Sequence, residues 1–283
     1  MIPVHVINLD RQPERWDRIK RNADDIGVTL TRVPALDRKR DYGPDLEKEF
    51  GRRRGLDHDK VSAGDICCSL SHVRVWREIL NSGAPAAVVL EDDMRLDAVF
   101  ASYLDDGFRE AADHAGLNCV KLEHVPDDPR RNKRRRPLGR AVSDLPHAGG
   151  ASLYRLCGPF LASGAYFITR EAVGDLLRRH PPLGLAIDQV LFDQVLGTGF
   201  RMLDIGFVNP APAKHELLEV QSDLENHRLS HRAEVEGRGT VRGGEALRKR
   251  LRIEAAGLRR SLYKLTGARK VQVEFSGDRA RGG

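Results

Sequence analysis

The sequence lacks several features that would place it in particular classes of protein. It has no run of about 20 apolar residues, the length that a membrane-spanning helix needs. Its four cysteines, at positions 67, 68, 119 and 157, show no CxxC pair and no regular spacing, so the sequence indicates neither a disulfide framework nor a zinc site and favours a reducing compartment. The first residues enter a strand pattern directly, without a charged leader, so we expect no signal peptide and a cytoplasmic protein.

Aromatic residues are few, at 6% of the chain, whereas basic residues are in excess. The chain carries 47 Lys and Arg against 41 Asp and Glu, a formal net charge of +6, which favours anionic partners such as nucleotides, phosphorylated lipids, membrane surfaces or nucleic acid. The run RRNKRRR at 130–136 is expected to lie in an exposed connection, because adjacent cations cannot be buried unpaired. Since this run has no interleaved aromatic residue and no recognition motif is present, we expect nucleic acid to be an unlikely partner.

Alternating strand and helix patterns predict an α/β protein with a mostly parallel, doubly wound sheet. Residues 4–9 form a first strand, Asp10 stands where a helix N-cap would lie, and Pro13 suits the first helical turn. Apolar residues at spacings of three and four follow, and residues 28–33 read as a second strand. We expect further helices at 65–80, 98–115, 172–177 and 188–196, and further strands at 86–93, 119–122, 153–157, 163–169 and 201–208.

The stretch AAVVLEDD at 86–93 places three adjacent carboxylates at the end of the most apolar strand. Ligands bind such sheets at the carboxyl ends of the strands, so Glu91, Asp92 and Asp93 are expected to face the crevice there. Strand alternation predicts Glu91 and Asp93 on one side and Asp92 on the other. Mg²⁺ or Mn²⁺ would compensate the charges and is commonly shared with substrate phosphates. The alternative is that these carboxylates cap a helix or pair with nearby arginines.

Four blocks of the sequence occur in an order typical of one family: VINLDRQPERWDRI, GDICCSLSHVRVW, VVLEDD and SGAYFITREAVGDLL. Together they resemble glycosyltransferase family 25, over roughly residues 2–225. This resemblance implies a GT-A (Rossmann-like) fold, a UDP-sugar donor (often UDP-galactose), a divalent metal ion and inversion at the anomeric carbon. The acidic triplet matches the family's counterpart of the DxD signature, with Asp93 as the foremost metal ligand and Glu91 as a further one.

The resemblance also implies a set of donor-binding residues, for which structural alternatives stay open. Asp10 could equally cap a helix, and Arg15, near a phosphate in one reading, is more simply a solvated residue. A histidine within a helix is often a hydrogen-bonded structural residue. The predicted donor-binding residues are Asn8, Asp10, Arg11, His72 and Asp92.

An inverting transfer needs a base that takes the proton of the attacking hydroxyl. Asp188, in GLAIDQVLFD, is the candidate, and its structural alternative is an N-cap for a helix that starts at Gln189. Asp193 is the second choice. His215 could complete the metal shell, although an exposed surface histidine is the simpler expectation.

The composition changes near the C-terminus, so we expect a GT-A-like domain over residues 1–225 and a linker, helix and tail over 226–283. Leucines at spacings of four and three, with seven basic residues between 245 and 264, predict a basic amphipathic helix. Such a helix could lie on an anionic membrane surface, at the inner face of the membrane, or pack on its own domain or a second subunit.

Together these patterns predict a metal-dependent inverting glycosyltransferase. It would move a hexose, galactose in particular, from a UDP-sugar to a glycan acceptor, which could be lipid-linked, such as bacterial lipopolysaccharide. The alternative is a catalytically silent GT-A-like module that binds anionic lipid or nucleic acid through its basic segments.

Overall fold

The computed structural model describes residues 1–52, 61–127, 136–179, 183–216 and 243–279. Its strands are β1 (Val4–Asn8), β2 (Leu30–Pro34), β3 (Ala86–Glu91), β4 (Met94–Leu96), β5 (Cys119–Lys121), β6 (Glu123–His124), β7 (Leu138–Leu145), β8 (Ala151–Leu156), β9 (Ala165–Thr169), β10 (Ile205–Asn209), β11 (Ala213–His215) and β12 (Arg269–Lys270). Its helices are α1 (Pro13–Asp25), α2 (Pro44–Phe50), α3 (Ala63–Ser82), α4 (Asp106–His114), α5 (Arg170–Arg179), α6 (Ile187–Phe192), α7 (Gly199–Met202), α8 (Gly243–Leu265) and α9 (Ser276–Arg279), with a 3-10 helix at Ala98–Tyr103.

Nine strands form the central sheet in the order β12-β7-β8-β10-β5-β9-β3-β1-β2. Strand β1 pairs in parallel with β2 and β3, and β5 pairs in parallel with β10. Strands β8, β9 and β12 are antiparallel to the other six strands of the sheet. The predicted α/β class with a large, mostly parallel sheet is therefore confirmed.

Both faces of the sheet are covered, which explains the unbroken apolar run of β3. Ala87 and Val89 join the cluster under α3, α5 and α6, whereas Val88 and Leu90 join the cluster under α1 and α4. All four side chains are 0% exposed. Because successive side chains of a strand point to opposite faces, a strand covered on both sides must be apolar at every position.

A second, three-stranded sheet with the order β4-β11-β6 lies at one end of the central sheet. Strand β4 follows β3 after a two-residue turn, and it pairs antiparallel with β11 so that Met94 lies opposite His215. Strand β6 pairs in parallel with β11, with Glu123 opposite Ala213. This small sheet brings residues after β3, β5 and β10 together.

Several predicted boundaries needed correction. Helix α1 begins at Pro13 after Gln12, and no side chain caps it, so the capping role expected for Asp10 is wrong. Helix α3 begins two residues earlier than predicted because Ser62 caps it, accepting a hydrogen bond from the Asp65 amide while the Asp65 carboxylate accepts one from the Ser62 amide.

Two predicted elements are divided in the structure. The region 98–115, expected as one helix, consists of the 3-10 helix and α4, which starts after the cap residue Asp105. The predicted strand 201–208 begins with α7, and β10 starts only at Ile205. Strands β4, β6, β7, β11 and β12 were not expected.

The chain after α8 returns to the central sheet. Strand β12 pairs with β7, and Ser276 donates a backbone hydrogen bond to the carbonyl of Ala211. The predicted domain boundary at 225, most of the run at 130–136 and most of the linker lie outside the described residues. Among the helices that the structure describes, none has the length and apolarity to cross a membrane.

Candidate active site

Polar residues gather at the edge of the central sheet where its parallel strands end. Asn8 ends β1, Glu91 ends β3 and Lys121 ends β5, while Gly164 precedes the reversed strand β9 at the same edge. In a doubly wound sheet this edge is where connections diverge and ligands bind. The acidic triplet therefore lies where the sequence predicted it.

The three carboxylates do not follow strand alternation, because β3 ends at Glu91 and the next two residues form a turn. Asp92 is buried, and its carboxylate accepts a hydrogen bond from the Asn8 amide at 2.7 Å and lies 3.4 Å from the Arg15 guanidinium. Burial raises the pKa of Asp92 to about 6, although Asn8 and Arg15 oppose this. For Asp92, pairing with an arginine is thus what the structure shows, and Arg15 is not a solvated residue.

Asp93 faces the small sheet and His215. One carboxylate oxygen (Oδ1) lies 3.8 Å from Nδ1 of His215, beyond hydrogen-bonding distance. Both atoms are buried and have no hydrogen-bond partner among the described residues. The His215 side chain is 6% exposed, so the expectation of a surface histidine is wrong. Two unsatisfied ligand atoms that face each other fit a divalent cation.

A buried ion pair supports His215 from behind. Nε2 of His215 lies 2.5 Å from the Glu123 carboxylate, and Lys121 donates a hydrogen bond to the other oxygen of Glu123. The Lys121 ammonium is fully buried, 3.8 Å from the centre of the Phe192 ring, and also donates to the carbonyl of Ala162.

Opposite charges determine the ionisation of this group. Burial alone would raise the pKa of Glu123, but Lys121 and His215 outweigh it and lower that pKa to about 2. Burial would lower the pKa of His215, yet Asp93 and Glu123 raise it to about 10. The same attraction to His215 lowers the pKa of Asp93 against the effect of burial. At neutral pH Glu123 and Asp93 are therefore carboxylates and His215 is an imidazolium, so a cation that binds Nδ1 of His215 must replace the proton there.

Glu91 points in a third direction. Its carboxylate accepts a hydrogen bond from the Ser163 hydroxyl at 2.9 Å, and the same oxygen lies 3.4 Å from Nε2 of His72. His72 is fully buried, and its Nδ1 lies 2.9 Å from the Tyr166 hydroxyl, which also accepts a hydrogen bond from Trp76. Glu91 and Asp93 thus have different partners, and their joint binding of one ion stays a prediction.

The predicted donor-binding residues of the first block lie beside this turn. Asn8 donates to Asp92 and accepts a hydrogen bond from Arg32 at 2.8 Å. Asp10 is exposed and pairs with Arg32 and Arg40, which lower its pKa. Arg11 donates to Asp37 at 2.7 Å. The structure therefore brings Asn8 and Asp92 together and places Asp10 and Arg11 at the adjacent ends of β1 and β2.

Asp188 lies in the first turn of α6, half-buried. The helix begins at Ile187, with Ala186 as its cap residue, so the alternative that Asp188 caps a helix starting at Gln189 is wrong. Helix α6 lies against the buried ion pair, because the Lys121 ammonium contacts the ring of Phe192, one turn after Asp188. The carboxylate of Asp193 instead accepts hydrogen bonds from the backbone N–H groups of Val195 and Leu196 in a turn.

Sequence reasoning missed several residues of this edge, namely Lys121, Glu123, Ser163, Tyr166 and Cys68. One signal was present for the first two, because a lysine and a glutamate alternate with apolar residues in CVKLEHV, within a strand that is otherwise buried. The SGAYF block was recognised without a role for its residues. In the structure Ser163 contacts Glu91, the amide of Gly164 donates to Glu123, and Tyr166 contacts His72.

The fold and this edge together define an α/β protein whose candidate site combines carboxylates, histidines and arginines at the carboxyl ends of parallel strands. Residues 1–191 match the family model described as glycosyltransferase family 25 (LPS biosynthesis protein). The chain belongs to glycosyltransferase family 25.

Three animal proteins are similar to parts of this chain. A glycosyltransferase 25 family member of Drosophila pseudoobscura pseudoobscura is 33% identical over 34% of this chain and 16% of its own length. Procollagen galactosyltransferase 2 of Homo sapiens is 29% identical over 36% of this chain and 17% of its own length. A Bos taurus protein named probable inactive glycosyltransferase 25 family member 3 is 28% identical over 68% of this chain and 32% of its own length. The chain therefore matches a third or less of each relative.

Proposed function

We propose that the protein transfers a hexose, galactose in particular, from a UDP-sugar to a glycan acceptor with inversion at the anomeric carbon. The observation that carries this proposal is the facing pair of buried, unsatisfied ligand atoms on Asp93 and His215 at the ligand-binding edge of the sheet. Family membership and the name of the human relative support a galactosyl donor.

Asp93 and His215 would hold Mn²⁺ or Mg²⁺ in this function. When bound, such an ion offsets the negative charge that develops on a departing diphosphate. The Glu123 carboxylate accepts a hydrogen bond from Nε2–H of His215, and this bond holds the ring with Nδ1 toward Asp93. Lys121 keeps Glu123 in place from the interior of the protein.

The remaining residues bind and orient substrates. Arg11, two residues before α1, and Arg15, in its first turn, are suited to phosphate oxygens, because guanidinium groups form strong charge-assisted hydrogen bonds. Asn8 orients Asp92 through a buried hydrogen bond. Asp188 would take the proton from the attacking hydroxyl of the acceptor.

Two observations bear on the identity of the acceptor. The family description includes lipopolysaccharide biosynthesis, and α8 carries exposed leucines beside basic side chains, with Leu258 at 65% and Leu262 at 54% exposure. We therefore propose a bacterial surface glycan as acceptor, reached from an anionic membrane surface at the cytoplasmic face. The prediction that this leucine stripe packs on its own domain is wrong for these two residues, whereas Ala256 on the other face of the helix is buried.

The test is UDP release from UDP-galactose and other UDP-hexoses in the presence of Mn²⁺, with an oligosaccharide acceptor. Asp93→Ala should abolish release in a folded protein, whereas Asp204→Ala, which removes an exposed partner of Arg155, should leave it unchanged. Normal release by folded Asp93→Ala would remove the metal assignment. Absence of release with every donor would favour the alternative, a silent module that binds anionic lipid.

A further inference from the structure

A second group of ligand atoms lies around Glu91, the first residue of the acidic triplet. Cys68 and His72 are four residues apart on α3 and so share one face of the helix. Glu91 ends the neighbouring strand β3. One ligand atom from each of the three side chains lies within 4.8 Å of the other two.

The buried histidine of this group is unsatisfied on the side that faces the others. The His72 ring is 0% exposed, and its Nε2 has no hydrogen-bond partner among the described residues, although it lies 3.4 Å from the Glu91 carboxylate. A buried polar atom without a partner costs free energy, so such an atom calls for a ligand.

The other ring nitrogen of His72 is held by a partner that suits a metal ligand. Nδ1 lies 2.9 Å from the Tyr166 oxygen, which also accepts a hydrogen bond from Trp76. In the tautomer in which Nδ1–H donates to the Tyr166 oxygen, the lone pair of Nε2 is directed at the cluster. Histidines that bind metals commonly donate their second N–H in this way.

The donor set differs from that of Asp93 and His215 in chemistry as well as in position. A cysteine sulfur, an imidazole nitrogen and a carboxylate oxygen are the three ligand types of zinc sites. Mg²⁺ and Mn²⁺ prefer oxygen ligands, and thiolates select softer ions. Cys68 and Glu91 are partly exposed, so an ion could enter from the crevice and keep a water molecule as its fourth ligand.

We propose that Cys68, His72 and Glu91 form a second cation site, selective for Zn²⁺, separate from the catalytic metal position. An ion there would tie α3 to the end of β3. This inference rests on the geometry of these three residues and not on the transfer reaction, so it stands or falls independently of the proposed function.

The test is metal binding by the full-length protein after removal of metals with a chelator. Co²⁺ serves as the probe, because a cobalt ion bound to a cysteine thiolate shows a sulfur-to-cobalt charge-transfer band. We expect this band on titration of the wild-type protein, and we expect excess Zn²⁺ to abolish it. Cys68→Ser should remove the band and weaken Zn²⁺ binding by at least about 100-fold, since loss of an outer-shell partner alone costs 10–100-fold.

Cys67→Ser is the matched control. Cys67 is the adjacent residue, but it is packed in the core, and burial raises the pKa of its thiol to about 11, so it stays protonated at neutral pH. This variant should keep the cobalt band. Asp93→Ala should also keep it while losing UDP release, which separates the two sites.

Three results would overturn the inference: no charge-transfer band in the wild-type protein, an unchanged band in Cys68→Ser, or equal Zn²⁺ affinity in the two proteins. The wild-type titration needs no variant, so its result decides the matter even if Cys68→Ser fails to fold. His72→Gln provides a second variant, and it should lower Zn²⁺ affinity like Cys68→Ser.

Discussion

Gly164 offers a way to disturb the candidate metal ligand His215 without removing any functional group. A Cβ atom at this position would lie 2.5 Å from Nε2 of His215 and 2.6 Å from the sulfur of Met94. Real side chains do not approach so closely, so Gly164→Ala must displace the imidazole, the thioether or the strand itself. The backbone of Gly164 is also fixed, because its amide donates to Glu123 and its carbonyl accepts from Glu91.

The magnitude follows from how the strain is relieved. If the strand holds its position, the extra methyl group overpacks the core, which costs about 1–3 kcal/mol of stability. That corresponds to a fall in Tm of roughly 2–4 °C per kcal/mol for a domain of about this size. If His215 moves instead, stability changes less, and the ion should bind roughly 10–100-fold more weakly, as it does when a ligand loses its orientation.

Calorimetric titration with Mn²⁺ and thermal unfolding, measured on the same preparation, distinguish these two outcomes. Gly257→Ala is the control, because the Cβ atom would meet only Arg260 at 4.0 Å. In a helix interior this change should stabilise by up to about 1 kcal/mol and leave Mn²⁺ binding unchanged. If Gly164→Ala keeps both wild-type Tm and wild-type Mn²⁺ affinity, the packing described here around His215 is incorrect.

Three further predictions address the buried ion pair, the base and the C-terminal helix. Lys121→Met should cost about 3–5 kcal/mol in denaturant unfolding, because it leaves the Glu123 carboxylate buried without its ammonium partner; unchanged stability would show that the pair is not buried. Asp188→Asn should lower turnover by about 10²–10⁴-fold with little change in UDP-sugar affinity, and a parallel loss of affinity would assign Asp188 to donor binding. Replacing Leu258 and Leu262 together by Gln should reduce co-sedimentation with anionic vesicles while UDP release stays normal, and equal co-sedimentation would refute the membrane contact.

The position of the acidic turn could be predicted from the sequence because it depends on local patterns. An apolar run without alternation implies a strand covered on both faces, and its end must lie at the carboxyl edge of the sheet. Helix α3 was predicted from its apolar spacing. Only its first two residues were missed, because the helix begins directly after Ser62, which forms a capping box with Asp65. These features depend on residues that are close in the chain.

The contacts within the site could not be predicted in the same way. Alternation failed at residues 92 and 93, because the strand ends at Glu91 and a turn then directs each carboxylate separately. Glu123 and His215 are 92 positions apart and meet only because β6 and β11 pair in the small sheet, whose short strands carry little pattern. His215 was expected at the surface, since nothing near it in the sequence indicates burial.

The four carboxylates at this edge of the sheet differ in how closely a polar or positively charged partner approaches them. Asp92 has an amide and an arginine, and Glu123 has a lysine and a histidine. Glu91 has a hydroxyl at hydrogen-bonding distance, and Asp93 has a histidine only at 3.8 Å. Each of these last two carboxylates therefore lies beside a buried histidine nitrogen that has no hydrogen-bond partner among the described residues.

A buried polar atom without a partner costs free energy, so each of these two histidine nitrogens calls for a ligand. A cation between Asp93 and His215 would satisfy one of them, and a cation held by Glu91 and His72 would satisfy the other. The Asn8 amide and the Arg15 guanidinium already satisfy Asp92, the middle carboxylate of the triplet. The two outer carboxylates are thus the ones available to metal ions, and the presence of Cys68 beside only one of them predicts that the two positions differ in the ion that they select.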